Sequence, residues 1–167
     1  CALPISGQLM ALGNIANIYR QTGNENKAIE YNKRALDIAE KTGDKKNISL
    51  ITNNIGLVYE KQKNFDKALE YFTQSVKLKE SIGDTKGIAS TYSNIGNLYR
   101  AKGDQQNALK YQKLALELIS NANAKPLEKD IYKEISESFA KIGDYEKAYN
   151  NHLKFFQLHN ELFSQEA

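Results

Sequence analysis

Four stretches of this chain repeat nearly the same phrase, and their spacing is the strongest constraint on what it can fold into. "NIANIYRQTGN" begins at Asn14, "NIGLVYEKQKN" at Asn54, "NIGNLYRAKGD" at Asn94 and a worn "EISESFAKIGD" at Glu134, each 40 residues after the last. A fixed period of this size is the signature of a repeat architecture. The columns agree beyond composition. Ile15, Ile55, Ile95 and Ile135 are identical; Ala16, Gly56, Gly96 and Ser136 are all small; Tyr19, Tyr59, Tyr99 and Phe139 are aromatic. Nine residues further on come Ala28, Ala68, Ala108 and Ala148, and Leu36, Val76, Leu116 and Phe156 close the set.

Each repeat reads as two helices. Ile15, Ile18 and Tyr19 form one apolar stripe at helical spacing, as do Ile95, Leu98 and Tyr99. Gly23, Gly103 and Gly143 end the first helix, because glycine takes the left-handed conformation of a helix stop cheaply. Asn24, Asn64, Asp104 and Asp144 follow as N-caps of second helices starting at about Glu25, Phe65, Gln105 and Tyr145. Lys63 interrupts the glycine column, so a left-handed turn there costs about 1 kcal/mol. Gly43-Asp44 and Gly83-Asp84 repeat the device between repeats. "NANAKP" takes over before the fourth, with Pro126 suited to a first helical turn. The small columns let paired backbones approach closely, and the aromatic column fills the space beside that contact. One such hairpin cannot bury its outer stripe alone, so neighbours must stack. The expected fold is all-α, a right-handed α-solenoid of four stacked antiparallel helix pairs. Residues 1–7 read as a leader or cloning remnant and 8–163 as one array, with repeats at about 8–47, 48–87, 88–127 and 128–163. Residues 164–167 read as a tail.

The totals narrow the function classes. Lys and Arg number 23 against 20 Asp and Glu, with the signs interspersed, which is too mild for a nucleic-acid partner. No apolar run is long enough for membrane insertion. Cys1 is the single cysteine, so there is no disulfide framework and no thiolate metal cage. That points to a cytoplasmic compartment and leaves a periplasm open. His152 and His159 stand seven apart rather than at the three- or four-residue spacing of helical metal ligands. Glycines fall at repeat positions and build no phosphate-cradling loop. No nucleophile has a candidate base, so neither an enzyme nor a cofactor is expected.

The small residue, the tyrosine three positions later, the Gly-Asp/Asn turn and the later Ala and Leu together resemble the tetratricopeptide repeat. The likeness is to the 40-residue variety of kinesin light chains, LGN-type scaffolds and bacterial signalling proteins, and it covers about residues 8 to 160. The resemblance implies a concave groove lined by first helices and holding a peptide or partner helix. It maps that groove onto Asn14, Asn17, Arg20, Asn53, Asn54, Glu60, Asn94, Asn97, Arg100 and Glu134. Asn14, Asn54 and Asn94 share one column, and Asn17 and Asn97 the column a turn later. An amide offers both donor and acceptor to a peptide backbone. Arg20 and Arg100 are expected to face Glu60 and Glu134 along the groove, with no single sign dominant. A clamp for chaperone carboxylates is not expected, because Gly13, Ser90 and Asn94 hold its basic places. On the last helix Phe155, Phe156, Leu162 and Phe163 give more apolar surface than an end repeat normally shows. They are expected to dock another domain or to drive homo-oligomer formation. The leading expectation is a protein–protein interaction module, and the alternative is a regulatory or sensory segment of a larger signalling protein or transcription regulator.

Overall fold

The turns decide where the helices stop. In the computed structural model, residues 4–120 and 122–166 are described; Cys1 and Ala167 lie outside them. The described residues form eight α-helices and no strand: α1 (Ile5–Gln21), α2 (Glu25–Lys41), α3 (Lys45–Lys61), α4 (Phe65–Ser81), α5 (Thr85–Ala101), α6 (Gln105–Ile119), α7 (Lys125–Lys141) and α8 (Tyr145–Glu166). Gly23, Gly43, Gly83, Gly103 and Gly143 all sit at positive φ, and each is followed by an Asn or Asp. Asn24, Asp44, Asn64, Asp104 and Asp144 accept the backbone N–H three residues on, at 3.0 to 3.4 Å. The N–H of Asn47 holds the Asp44 carboxyl below the usual carboxylate range, and that of Asn107 does the same for Asp104.

Lys63 takes the left-handed turn without a glycine, at φ 58°. Its side chain is exposed, so the strain brings no packing in return. Lys63→Gly is therefore expected to stabilise the chain by about 1 kcal/mol in a urea unfolding curve, and an unchanged or lowered midpoint would refute that. In the last connection Asn123 plays the same part at φ 44°, and Pro126 lies in the first turn of α7. Helix α1 takes in Ile5 to Gly7, and α8 runs on through Ser164. Phe163 stands there in the column of Gly43 and Gly83, so no left-handed stop interrupts the helix.

The helices divide into two compact halves, one ending at Asp84 and one starting at Thr85. In the N-terminal half, short turns pack α1 against α2 and α3 against α4. Leu9 of α1, Ala35 and Ala39 of α2, and Ile51 and Ile55 of α3 are buried together. In the C-terminal half, Ala115 and Ile119 of α6, Ile131, Ile135 and Phe139 of α7, and Ala148 of α8 form the equivalent core. The repeat columns explain the close approach within each pair. Ala28, Ala68 and Ala108 are fully buried. A Cβ added at Gly56 would lie 2.7 Å from the Phe72 ring, and one at Gly96 would lie 2.8 Å from Gln112. The aromatic column stacks on a tyrosine of the second helix: Tyr19 on Tyr31 and Tyr59 on Tyr71, both at 5.4 Å, and Tyr99 on Tyr111 at 5.6 Å. Asn151 stands in that second column in the last repeat, and Phe139 is covered by the ammonium groups of Lys113 and Lys147 instead.

Candidate functional site

First helices carry most of the candidate residues, and the two halves use them differently. In the N-terminal half, residues of α1 and α3 line an open surface. A cleft of about 380 Å³ runs there, lined by Met10, Gly13, Asn14 and Asn17 of α1 and by Asn47, Leu50 and Asn54 of α3. Its floor is closed by Leu9 and Ile51 of the core. Beyond Asn17 and Asn54 a small cavity opens, lined by Ala16, Asn17, Arg20, Asn32 and Asn54, with room for about one water molecule. Asn14 and Asn17 are exposed, while Arg20 and Asn54 are half-buried. Arg20 Nη2 donates to Asn17 Oδ1 at 2.6 Å. Among the described residues no carboxylate pairs with its guanidinium, whereas Lys61 donates to the Arg20 carbonyl and pairs with Glu25 at 3.5 Å.

In the C-terminal half the same columns are closed by acid. Glu134 of α7 accepts from the Ser93 hydroxyl at 2.7 Å and from Asn97 Nδ2 at 2.6 Å. Arg100 pairs with Glu137 and donates to Asn97 Oδ1 at 3.1 Å. Glu137, one helical turn further along α7, takes the Arg100 guanidinium, and the charge of Arg100 also reaches Glu134. The Arg20 guanidinium is held within its own helix by Asn17. The halves differ at three columns: Asn54 and Leu57 stand in α3 where Glu134 and Glu137 stand in α7, and Gly13 stands in α1 where Ser93 stands in α5.

Burial pushes the Glu134 carboxyl above the usual glutamate range, while the bonds from Ser93 and Asn97 and the charge of Arg100 oppose that rise. Between its unfolded and folded values the folded state holds the extra proton. This contribution to stability is therefore present at low pH and is lost as pH rises through the folded value. Wild type minus Glu134→Gln, followed by urea unfolding at several pH values, is expected to shift in favour of wild type as pH falls from neutral toward the ordinary glutamate range. A difference independent of pH would contradict the assignment.

The candidate residues thus separate into two sets. Asn14, Asn17, Arg20 and Asn54 surround the open cleft and its cavity; Asn97, Arg100 and Glu134 belong to the bonded cluster. Asn53 and Glu60 on α3 and Asn94 on α5 are half-buried and belong to neither lining. Sequence reasoning missed Asn32, Asn47, Ser93 and Glu137. A signal existed for Asn32: its column reads Asn32, Phe72, Gln112, His152, with the smallest side chain in the first repeat.

Helix α8 also departs in part from expectation. Phe156 and Phe163 are exposed, at 54% and 70%, but Phe155 and Leu162 are half-buried. Phe155 lies between the rings of His152 and His159, at 5.4 and 6.0 Å. Tyr145, Tyr149 and Leu153, which the sequence reading passed over, are exposed and fall at helical spacing on the stripe of Phe156 and Phe163. Among the described residues no helix is long and apolar enough to cross a membrane.

A family profile described as tetratricopeptide repeat matches residues 7–81 and 87–154. Among curated proteins none matches the chain significantly. Solved structures share the fold at low identity. BtubC (BKLC) from P. vanneervenii is 19% identical with a TM-score of 0.79, over 96% of this chain and 66% of that one. Aspartyl phosphate phosphatase F from Bacillus subtilis is 16% identical with a TM-score of 0.89, over 97% and 42%. A Rap protein complexed with competence and sporulation factor is 20% identical with a TM-score of 0.86, over 94% and 44%. The chain therefore spans between 42% and 66% of the length of these proteins. With the period, the capped turns and the small-residue columns all in place, the chain belongs to the tetratricopeptide-repeat family.

Proposed function

We propose that this chain is a non-enzymatic protein-interaction module and that it binds an extended peptide or a helix of a partner protein along its first helices. The observation that carries this reading is the open cleft of the N-terminal half. Asn14, Asn17, Asn47 and Asn54 bring four carboxamides to one trough, with exposed Met10 and Leu50 beside them. Carboxamides pair with both groups of a peptide backbone, and apolar side chains hold one of its residues. The Rap structure solved with competence and sporulation factor supports the idea that this fold can hold a partner. A ligand of mixed or polar character suits the groove, since Arg100 is already neutralised and Arg20 is a single cation.

The test is affinity capture from native lysate with wild type and with folded Asn17→Ala/Asn54→Ala. A partner held by the first and lost by the second supports the cleft as the binding site. A partner kept by both moves the site elsewhere. The exposed stripe Tyr145, Tyr149, Leu153, Phe156 and Phe163 favours a second reading, in which the segment regulates a larger signalling protein by docking through α8 or associates with its own copy. A partner kept by the asparagine variant but lost by Phe156→Ser/Phe163→Ser supports that reading instead.

A further inference from the structure

The buried amide of Asn32 has one half unused. Its Nδ2 donates to the Ala28 carbonyl at 2.9 Å within α2, whereas its Oδ1 has no partner; the residue is 2% exposed. A buried acceptor left unpaired costs roughly 1 to 3 kcal/mol, so something is expected to reach it. The cavity exists because of this residue. In α4 the same column holds Phe72, which fills the space against Gly56, and in α6 it holds Gln112 against Gly96. Asn32 is shorter and faces Ala16, and the space left over opens between Asn17, Arg20 and Asn54 at the end of the cleft.

We propose that this cavity is a specificity pocket of the peptide site and receives one neutral side chain that ends in a hydroxyl, whose oxygen takes the place of the one water the cavity has room for. The inference rests on the peptide-binding reading above. The polar atoms around the pocket select that chemistry. Asn32 Oδ1 accepts only, so it requires an N–H or O–H from the ligand. Arg20 donates only, and it has N–H groups beyond the one given to Asn17, so it requires an acceptor. A hydroxyl satisfies both and fits the space, whereas a carboxamide is too large for it. A carboxylate satisfies Arg20 but sets its charge against the Asn32 oxygen, and an ammonium is repelled by Arg20. A lone arginine in a groove otherwise suggests an acidic ligand, and the buried acceptor reverses that choice. The other end of the cleft is apolar, where Met10 and Leu50 are 69% and 43% exposed. Met10 and Asn17 are about 10 Å apart along α1 at 1.5 Å per residue, which an extended peptide spans in about three residues. The bound peptide therefore carries an aliphatic side chain about three positions from the hydroxyl.

The experiment uses the full chain and a positional-scanning library of octapeptides blocked at both termini. Wild type is expected to select Ser or Thr over Asn, Gln, Asp and Glu at least tenfold at one position, about three residues from an aliphatic one. Asn32→Leu fills the pocket as Phe72 does in α4 and is expected to abolish that preference. Arg20→Met, at a half-buried position on α1, is expected to weaken binding of the selected peptides at least tenfold. Gly13→Phe, at a position where an added Cβ meets nothing within 4 Å, blocks the cleft and is expected to abolish binding. Selection of Asp, Glu, Asn or Gln, or a preference unchanged in Asn32→Leu while Gly13→Phe abolishes binding, overturns the pocket and leaves the cleft reading standing. Peptides bound equally by wild type and Gly13→Phe, or no peptide bound at all, overturn both.

Discussion

Replacing Gly56 with valine is expected to lower the stability of the chain by about 2–3 kcal/mol, which is a large share of what a domain of this size commands. The reason is local and geometric. A Cβ at this position would sit 2.7 Å from two carbons of the Phe72 ring and 3.3 Å from the Ala68 carbonyl oxygen. Phe72 is fully buried, and the carbonyl is helix backbone, so neither can retreat without disturbing α4. The gain in helix propensity on losing glycine is well under 1 kcal/mol and does not offset the overlap. The control is Phe72→Leu, which alone is expected to cost about 1–2 kcal/mol and, combined with Gly56→Val, to recover part of the loss. Urea unfolding of the two single variants and the double variant measures the coupling. If the two effects simply add, the pair is not a matched contact and the reading of the small column is wrong.

A comparable loss is expected at Gln112. This side chain is fully buried in α6, and its Oε1 accepts from the Ser138 hydroxyl of α7 at 3.1 Å; Ser138 is itself fully buried. Gln112→Ala removes the packing against Gly96 and strands the hydroxyl, so about 3 kcal/mol of destabilisation is expected in the same assay. Ser138→Ala strands the Gln112 oxygen instead and is expected to cost about 1–2 kcal/mol. The double variant Gln112→Leu/Ser138→Ala replaces both partners by apolar groups and is expected to lie close to wild type. A double variant as unstable as Gln112→Ala would show that the hydrogen bond itself, and not the stranded polar group, holds α6 to α7.

These two sites show how far the columns could be read. Ala, Gly, Gly and Ser in register announce close helix pairs, and the structure places Gly56 and Gly96 against large side chains of the second helices. The matching of sizes across the pair, Gly56 to Phe72 and Ala16 to Asn32, involves a second column that mixes two carboxamides with a phenyl and an imidazole ring, and only the smaller side chain of Asn32 marks it. The groove was legible only in outline. Asn14, Asn17 and Asn54 do line one cleft while Asn53 does not, and Glu134 and Glu137 were not distinguishable from sequence as partners of Asn97 and Arg100. Which of two carboxylates one turn apart meets a guanidinium depends on the offset between packed helices, a matter of about 5 Å.

What the sequence by itself determined is the repeat. Its period, the glycine or lysine stops, the Asn and Asp caps and the alternation of stripe and turn are local properties, set by backbone sterics and hydrogen bonds within a few residues. Lys63 confirms this, since it adopts the left-handed turn that its column demands. What only the tertiary structure decided is which polar groups are satisfied. Lys79 is buried, and that burial pushes its amine below the usual lysine range against the pull of Asp84. Arg100 is neutralised while Arg20 keeps donors to spare, and Asn32 holds an unused acceptor at the end of an open cleft. Satisfaction of a polar group is a property of its whole surroundings, and those surroundings exist only once helices distant in sequence have packed.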